Sequence, residues 1–431
     1  MRNNKWISSI PALVLCFVLI VVAGCSNDNV KPQIPEAIDK KIELVWSGWS
    51  GEEEASKASI QGMIDSWNEN NPDATVKWLG WPYNNALEQL MVRSVGKEHL
   101  DVSQVEYSWL QQLESAGVVE DLNTLFDPQW LDDNFEQSTL DVGKINGKQV
   151  GLPWTLASIG MVYNPSLLAK AGIFEPPTTI AQFEEVLQKL KDSDPNIIPY
   201  ALDTNSLNAD FSSWLWTFGG SIIDENKNIA IHNEQAVQAV TWLKSLKDRG
   251  FIKMNIGRMD ARLLFANHLV GFYDDAILAK GFLVGNGVAI DELDNQIKPM
   301  LRPVLHEGDV PQSALWGHTL VIFNHSEHKQ EAAEFLKHLV SDSQSIPYFE
   351  QMGLMPVTKS GLANDKVIHD EWAKDWSAIT KTGRIKETRD YKQTAELNDI
   401  IKNAVQAALL GEKSPQQAME EAAEKIRIAL K

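Results

Sequence analysis

The chain has 431 residues, 44% of them hydrophobic, with two cysteines and a formal net charge of −19 at pH 7. That length and apolar content allow a large buried core, divided between two domains. So large an excess of carboxylates repels phosphate backbones and anionic lipid headgroups, which excludes nucleic acid and membrane-surface electrostatics as modes of binding.

Arg2 and Lys5 precede an apolar run from Ile7 to Val22 that closes on Val22-Ala23-Gly24-Cys25. A basic start, an apolar stretch shorter than a membrane span and small residues at its end are the marks of a secretory signal. With cysteine in the last place the pattern resembles a bacterial lipobox. That resemblance implies cleavage before Cys25 and lipid attachment to its sulfur, anchoring the mature chain on the extracytoplasmic face of the cell membrane. Residues 1–24 are thus expected as a signal peptide, and 25–41 as the lipidated cysteine with a flexible linker, since the stretch is polar, carries two prolines and lacks an apolar period. Cys16 falls in the cleaved segment, so the mature chain has no disulfide and depends on burial for stability.

From Ile42, apolar residues alternate through Leu44 and Trp46, a strand pattern ending in Ser47-Gly48-Trp49-Ser50-Gly51. Ile60, Met63, Ile64 and Trp67 then recur at helical spacing, and Asn70-Asn71-Pro72 stops the helix. Extended and helical patterns alternate again: Thr75 to Leu79, Ala86 to Val95, Val102 to Val105, Trp109 to Ser115. Such alternation predicts a parallel sheet with helices on both faces. Further on, Asn164-Pro165 reads as a helix start, and Thr179 with Gln182 and Ser414 with Gln417 read as capping boxes. Two alanine-rich helices, Leu397 to Leu410 and Pro415 to Leu430, close the chain around Gly411.

Lys144 to Lys191 holds the Asn146-Gly147-Lys148 turn, Gly151-Leu152-Pro153, Tyr163-Asn164, and Gly172 ahead of Pro176-Pro177-Thr178. Phe218-Gly219-Gly220, Trp316-Gly317, Ala332-Ala333-Glu334-Phe335-Leu336, Met355-Pro356-Val357 and Gly411-Glu412-Lys413-Ser414-Pro415 follow in order. Together these motifs resemble the extracellular family 1 solute-binding proteins of bacterial ABC sugar importers, which include maltose-binding protein. The resemblance implies a two-lobed α/β fold of the periplasmic-binding-protein type (class II), with a ligand cleft between lobes joined by several hinge crossings. By analogy lobe one takes residues 42–155 plus 314–352, and lobe two 156–313 plus 353–431. It implies a carbohydrate ligand, an oligosaccharide by preference, passed to ABC permease subunits by a monomer without cofactor, metal or catalytic residues.

Fifteen tryptophans against seven tyrosines suit a sugar, because indole packs on the C–H face of a pyranose while carboxylates and N–H groups take its hydroxyls. Trp67, Trp242, Trp372 and Trp376 lie at helical spacing and read as packing. Ligands of open α/β sheets bind beyond the carboxyl ends of strands, which selects Trp49, Trp81 and Glu106 from the first lobe, with Trp154 at the first interlobe crossing. By the same rule lobe two offers Trp214, Trp216, Tyr273 and Asp274, with Trp316 at the return crossing; Glu52, Asn205 and Asp275 are further hydroxyl partners. A non-sugar solute such as an amino acid, peptide or polyamine is the alternative, since an aromatic box also holds cations. A secreted glycoside hydrolase would need two carboxylates at fixed separation, which fifty-eight acids do not single out. Nor does His325-x-x-His328, in a polar helix start, make a metal site.

Overall fold

The structure, a computed structural model, describes residues 41–431 except Asn208. The signal segment, Cys25 and the linker up to residue 40 lie outside the described residues. In chain order the strands are β1 (Ile42–Gly48), β2 (Ala74–Gly80), β3 (Val102–Glu106), β4 (Lys144–Ile145), β5 (Lys148–Gln149), β6 (Leu152–Tyr163), β7 (Ile198–Ala201), β8 (Val270–Asp275), β9 (Lys298–Met300), β10 (Ser313–Ile322) and β11 (Gly383–Arg384). The main sheet runs β2-β1-β3-β10-β6-β8-β7, with β11 on β10 and β9 on β6. β4 and β5 form a separate hairpin whose turn, Asn146-Gly147, has φ of 51° and 81°, the left-handed conformation a two-residue hairpin requires.

The expected parallel sheet holds for part of this order. β1 runs parallel to β2 and β3, and β7 to β8, because a helix crosses between sequential strands. β10 is antiparallel to both β3 and β6, and β6 to β8, so the sheet is mixed. These are the long strands that join the two halves. β6 pairs with β10 through Leu152 to Ile159 and then with β8 and β9 from Gly160 onward. One strand therefore serves both lobes of the two-lobed α/β fold.

The helices bury what their periodicity predicts. In Lys57–Asn70 the buried residues are Ile60, Met63, Ile64 and Trp67. Both expected capping boxes form, Thr179 with Gln182 on helix Ile180–Ser193 and Ser414 with Gln417 on helix Pro415–Ala429. Gly411, at φ 78°, ends the helix Thr394–Leu410 and turns the chain back into its C-terminal partner. One apolar cluster draws on residues 161–300 and 397–426, a second on 45–150 with 321–323, and a third, centred on Trp46, Trp154 and Phe335, spans both halves.

Candidate ligand cleft

Loops at the carboxyl ends of β1 to β3 come together beside β10. Gln104 fixes the first: its Oε1 accepts the backbone N–H of Trp49 at 3.4 Å and of Ser50 at 3.1 Å, and its Nε2 donates to Ser50 Oγ at 2.8 Å. Gly51 is required there, because a Cβ would stand 2.3 Å from the Trp78 indole. That indole donates to Glu52 Oε1 at 3.0 Å.

Glu106, the last residue of β3, is the centre of the arrangement. Its Oε1 accepts the Tyr83 hydroxyl at 2.8 Å and the Trp316 indole N–H at 2.9 Å, and its Oε2 accepts Ser108 Oγ at 3.0 Å. Trp49 stands behind, with ring centroids 5.5 Å from Tyr83, 5.1 Å from Trp109 and 5.0 Å from His318. Trp49 is buried while Tyr83 is 44% exposed, so the wall offers Tyr83, Trp109 and Trp316 to solvent on an aromatic backing. Burial of the hydroxyl, then the Glu106 charge and hydrogen bond, push the Tyr83 pKa well above its ordinary value. It stays a neutral donor to Glu106 although its ring lies open.

Residues between Tyr200 and Arg302 bring a block of paired charges. Arg262 donates to Asp275 through Nε at 2.8 Å and Nη2 at 2.6 Å, Arg258 pairs with Asp210, and Arg302 pairs with Asp274, which also accepts the Tyr200 hydroxyl. All four carboxylates of the block, Asp203 included, are buried. Burial raises Asp210 to about 7 against the opposing pull of Arg258. The Arg258 charge is felt at Tyr83 and the Arg262 charge at Glu53, whose pKa is raised chiefly by burial.

Of the residues singled out from sequence, Trp49, Glu106 and Trp316 meet in this wall. Trp81 is 9% exposed and backs the loop under the Arg93 guanidinium, 5.6 Å from its ring. Trp154 is 1% exposed, stacked on Tyr348 at 5.2 Å and 6°. Trp214 is fully buried, and the Trp216 indole donates to Glu387 Oε1 at 2.8 Å with the Arg384 guanidinium 4.7 Å over its ring. Tyr273 is buried against Phe265 at 4.8 Å. β8 continues through Asp275, so Tyr273 and Asp274 lie within the strand rather than beyond its end; arginines on both carboxylates let the strand run on. Asn205 is an exposed turn residue whose backbone N–H donates to Asp203 at 3.1 Å. Tyr83, Trp109 and His318 are additions; the first two follow strand ends and obey the rule that selected Trp81 and Glu106. Arg258 carries no sequence signal, because its partner Asp210 lies far along the chain.

Among the described residues no group of three or more His, Cys, Asp or Glu side chains is placed to hold a metal, and no helix is long and apolar enough to cross a membrane.

A two-lobed α/β chain carrying an aromatic wall around Glu106 at the end of β3 is of the solute-binding class. Residues 50–346 match the bacterial extracellular solute-binding protein family, and the chain belongs to that family. It is 22% identical over 448 residues to the arabinooligosaccharide-binding protein of Bacillus subtilis (strain 168), spanning 96% of this chain and 98% of that one. In fold it is similar to the GacH receptor of Streptomyces glaucescens, solved unliganded and with acarbose, at TM-score 0.80, 20% identity and coverage of 90% of this chain and 98% of that chain. It is likewise similar to the maltose-bound MalE3 of T. maritima, at TM-score 0.79, 21% identity and coverage of 90% and 100%.

Proposed function

We propose that the protein is the extracytoplasmic, lipid-anchored receptor of an ABC importer, binding an oligosaccharide between its lobes and delivering it to the permease without chemical turnover. The observation that carries the reading is Glu106, a carboxylate among Tyr83, Trp109, Trp316 and Trp49 at the end of β3. Aromatic faces take the C–H side of a pyranose, and Glu106 Oε2, which accepts Ser108 Oγ, has a lone pair left for a solute hydroxyl and penalises ligands lacking one. The relatives' names agree, since they bind arabinooligosaccharide and maltose.

Lobe one comprises residues 42–155 plus 314–352 and lobe two 156–313 plus 353–431, with β6 and β10 as hinge strands. Solute selects the closed arrangement because only there do both lobes touch it. Cys25, behind its apolar run, supplies the tether that keeps the receptor near its importer. A thermal-shift panel of mono- and oligosaccharides, amino acids and polyamines tests the reading, because a ligand raises the melting temperature by mass action. Saccharides are expected to raise it; a rise confined to amino acids or polyamines would exclude the sugar.

A further inference from the structure

His318 is paired across the sheet with Glu106 of β3 on one side and Thr155 of β6 on the other. The β10–β6 register slips at this point: His318 opposes Thr155 and Thr319 opposes Pro153, which leaves Trp154 as the extra residue of a bulge. Bulges re-aim side chains. Leu152, Trp154, Ala157 and Ile159 all join one core cluster, so the alternation of β6 breaks between Trp154 and Ala157 and brings Trp154 to the side of His318. The two ring centroids are 6.1 Å apart. Gly317 permits the close approach, since a Cβ there would stand 2.3 Å from the Thr155 carbonyl oxygen.

Three polar atoms on neighbouring residues, His318 Nε2, Trp154 Nε1 and Thr155 Oγ1, are buried without a hydrogen-bond partner among the described residues. Their residues are 3%, 1% and 3% exposed. The hydrogen-bond network assigns the imidazole tautomer. Gln104 Oε1 accepts two backbone N–H groups, so Nε2 is its donor end, and that atom lies 3.1 Å from His318 Nδ1. Nδ1 therefore accepts and the ring proton sits on Nε2. Burial lowers the His318 pKa to about 3, which keeps the ring neutral. Two N–H donors and one hydroxyl are thus buried on neighbouring residues of β6 and β10, beside Glu106, whose charge repels an anion.

We infer that His318 Nε2–H, Trp154 Nε1–H and Thr155 Oγ1 form a site for one hydroxyl oxygen, which accepts from the two N–H groups and donates to Thr155. A water or a solute hydroxyl has the required two lone pairs and one proton. The solute source rests on the carbohydrate reading above; the water source does not.

Histidine-¹⁵N NMR of the full protein tests the site, first alone and then with maltotriose, arabinotriose and galactotriose. The expected spectrum has the His318 proton on Nε2, shifted downfield by a hydrogen bond. Cross-relaxation with solvent that persists as a saccharide binds assigns the oxygen to water; its loss, with a shift of the resonance, assigns it to the solute. His318→Phe removes the signal, and Trp154→Phe moves it by loosening the shared oxygen. A proton on Nδ1, or an Nε2–H at the position of a free imidazole with and without saccharide, would overturn the inference. If no saccharide binds, the carbohydrate reading fails while the spectrum of the protein alone still decides the site.

Discussion

Tyr83 and Trp316 meet on a single oxygen: the hydroxyl of one and the indole N–H of the other both donate to Glu106 Oε1, at 2.8 and 2.9 Å. The two come from chain segments more than two hundred residues apart, yet a carboxylate at the end of β3 holds both in one wall. Glu106 thereby orients two aromatic faces, and its Oε2, which accepts Ser108 Oγ, keeps one further lone pair.

Replacing Glu106 with Gln should weaken saccharide binding ten- to a hundredfold. A hydrogen bond to a charged group contributes about 1.5–3 kcal/mol, and about 1.4 kcal/mol is tenfold in affinity. Calorimetric titration reads the loss, and the urea midpoint should barely move. A lowered midpoint with unchanged affinity would make Glu106 a structural residue.

Asp274 should behave in the opposite way. Its partner Arg302 is buried, so Asp274→Ala leaves an uncompensated charge and should cost about 3–5 kcal/mol in urea unfolding. Lost binding at unchanged stability would instead return Asp274 to the cleft.

Two buried groups should tilt stability against pH in opposite senses. Asp210, raised from 3.8 to about 7, favours its protonated form in the fold; its contribution is full below the unfolded value and is lost as pH rises through about 7. His318, lowered from 6.5 to about 3, favours its neutral form; its contribution is full above the unfolded value and is lost as pH falls toward about 3. Relative to wild type, Asp210→Asn should gain stability as pH rises from about 4 to 7, and His318→Gln as pH falls from about 6.5 to 4. Urea unfolding across that range checks both slopes.

The capping box at Ser414 makes a smaller prediction. Ser414→Ala should destabilise the protein by about 0.5–2 kcal/mol, since it frees the N–H of Gln417 at the start of helix Pro415–Ala429. Differential scanning calorimetry would show the lowered midpoint, and no change would mean that solvent caps this helix equally well.

What is local in the chain was legible. The stripe Ile60, Met63, Ile64 and Trp67, the two capping boxes and the strands β1 to β3 follow from periodicity and side-chain chemistry within a few residues. The mixed sheet was not, because the direction of β10 against β3 is fixed by a partner far along the chain. The same limit applies to the cleft. Trp49 and Glu106 are selected by their place at strand ends and Trp316 by its place near the return crossing, and the three stand together, whereas Trp154 sits in a bulge and Asp274 meets an arginine twenty-eight positions away, and neither partnership leaves a mark in sequence. Nothing in the sequence singles out Arg258, for the same reason.

The central claim is that a carbohydrate lies on the wall around Glu106, and ¹⁹F NMR of the protein carrying 5-fluorotryptophan tests it most directly. Titration with the saccharides of the panel is predicted to move the resonances of Trp316 and Trp109 and to leave those of Trp67 and Trp242, packed on their helices, in place. Saccharide binding that leaves Trp316 and Trp109 unmoved, or movement produced by polyamines or amino acids alone, would contradict it.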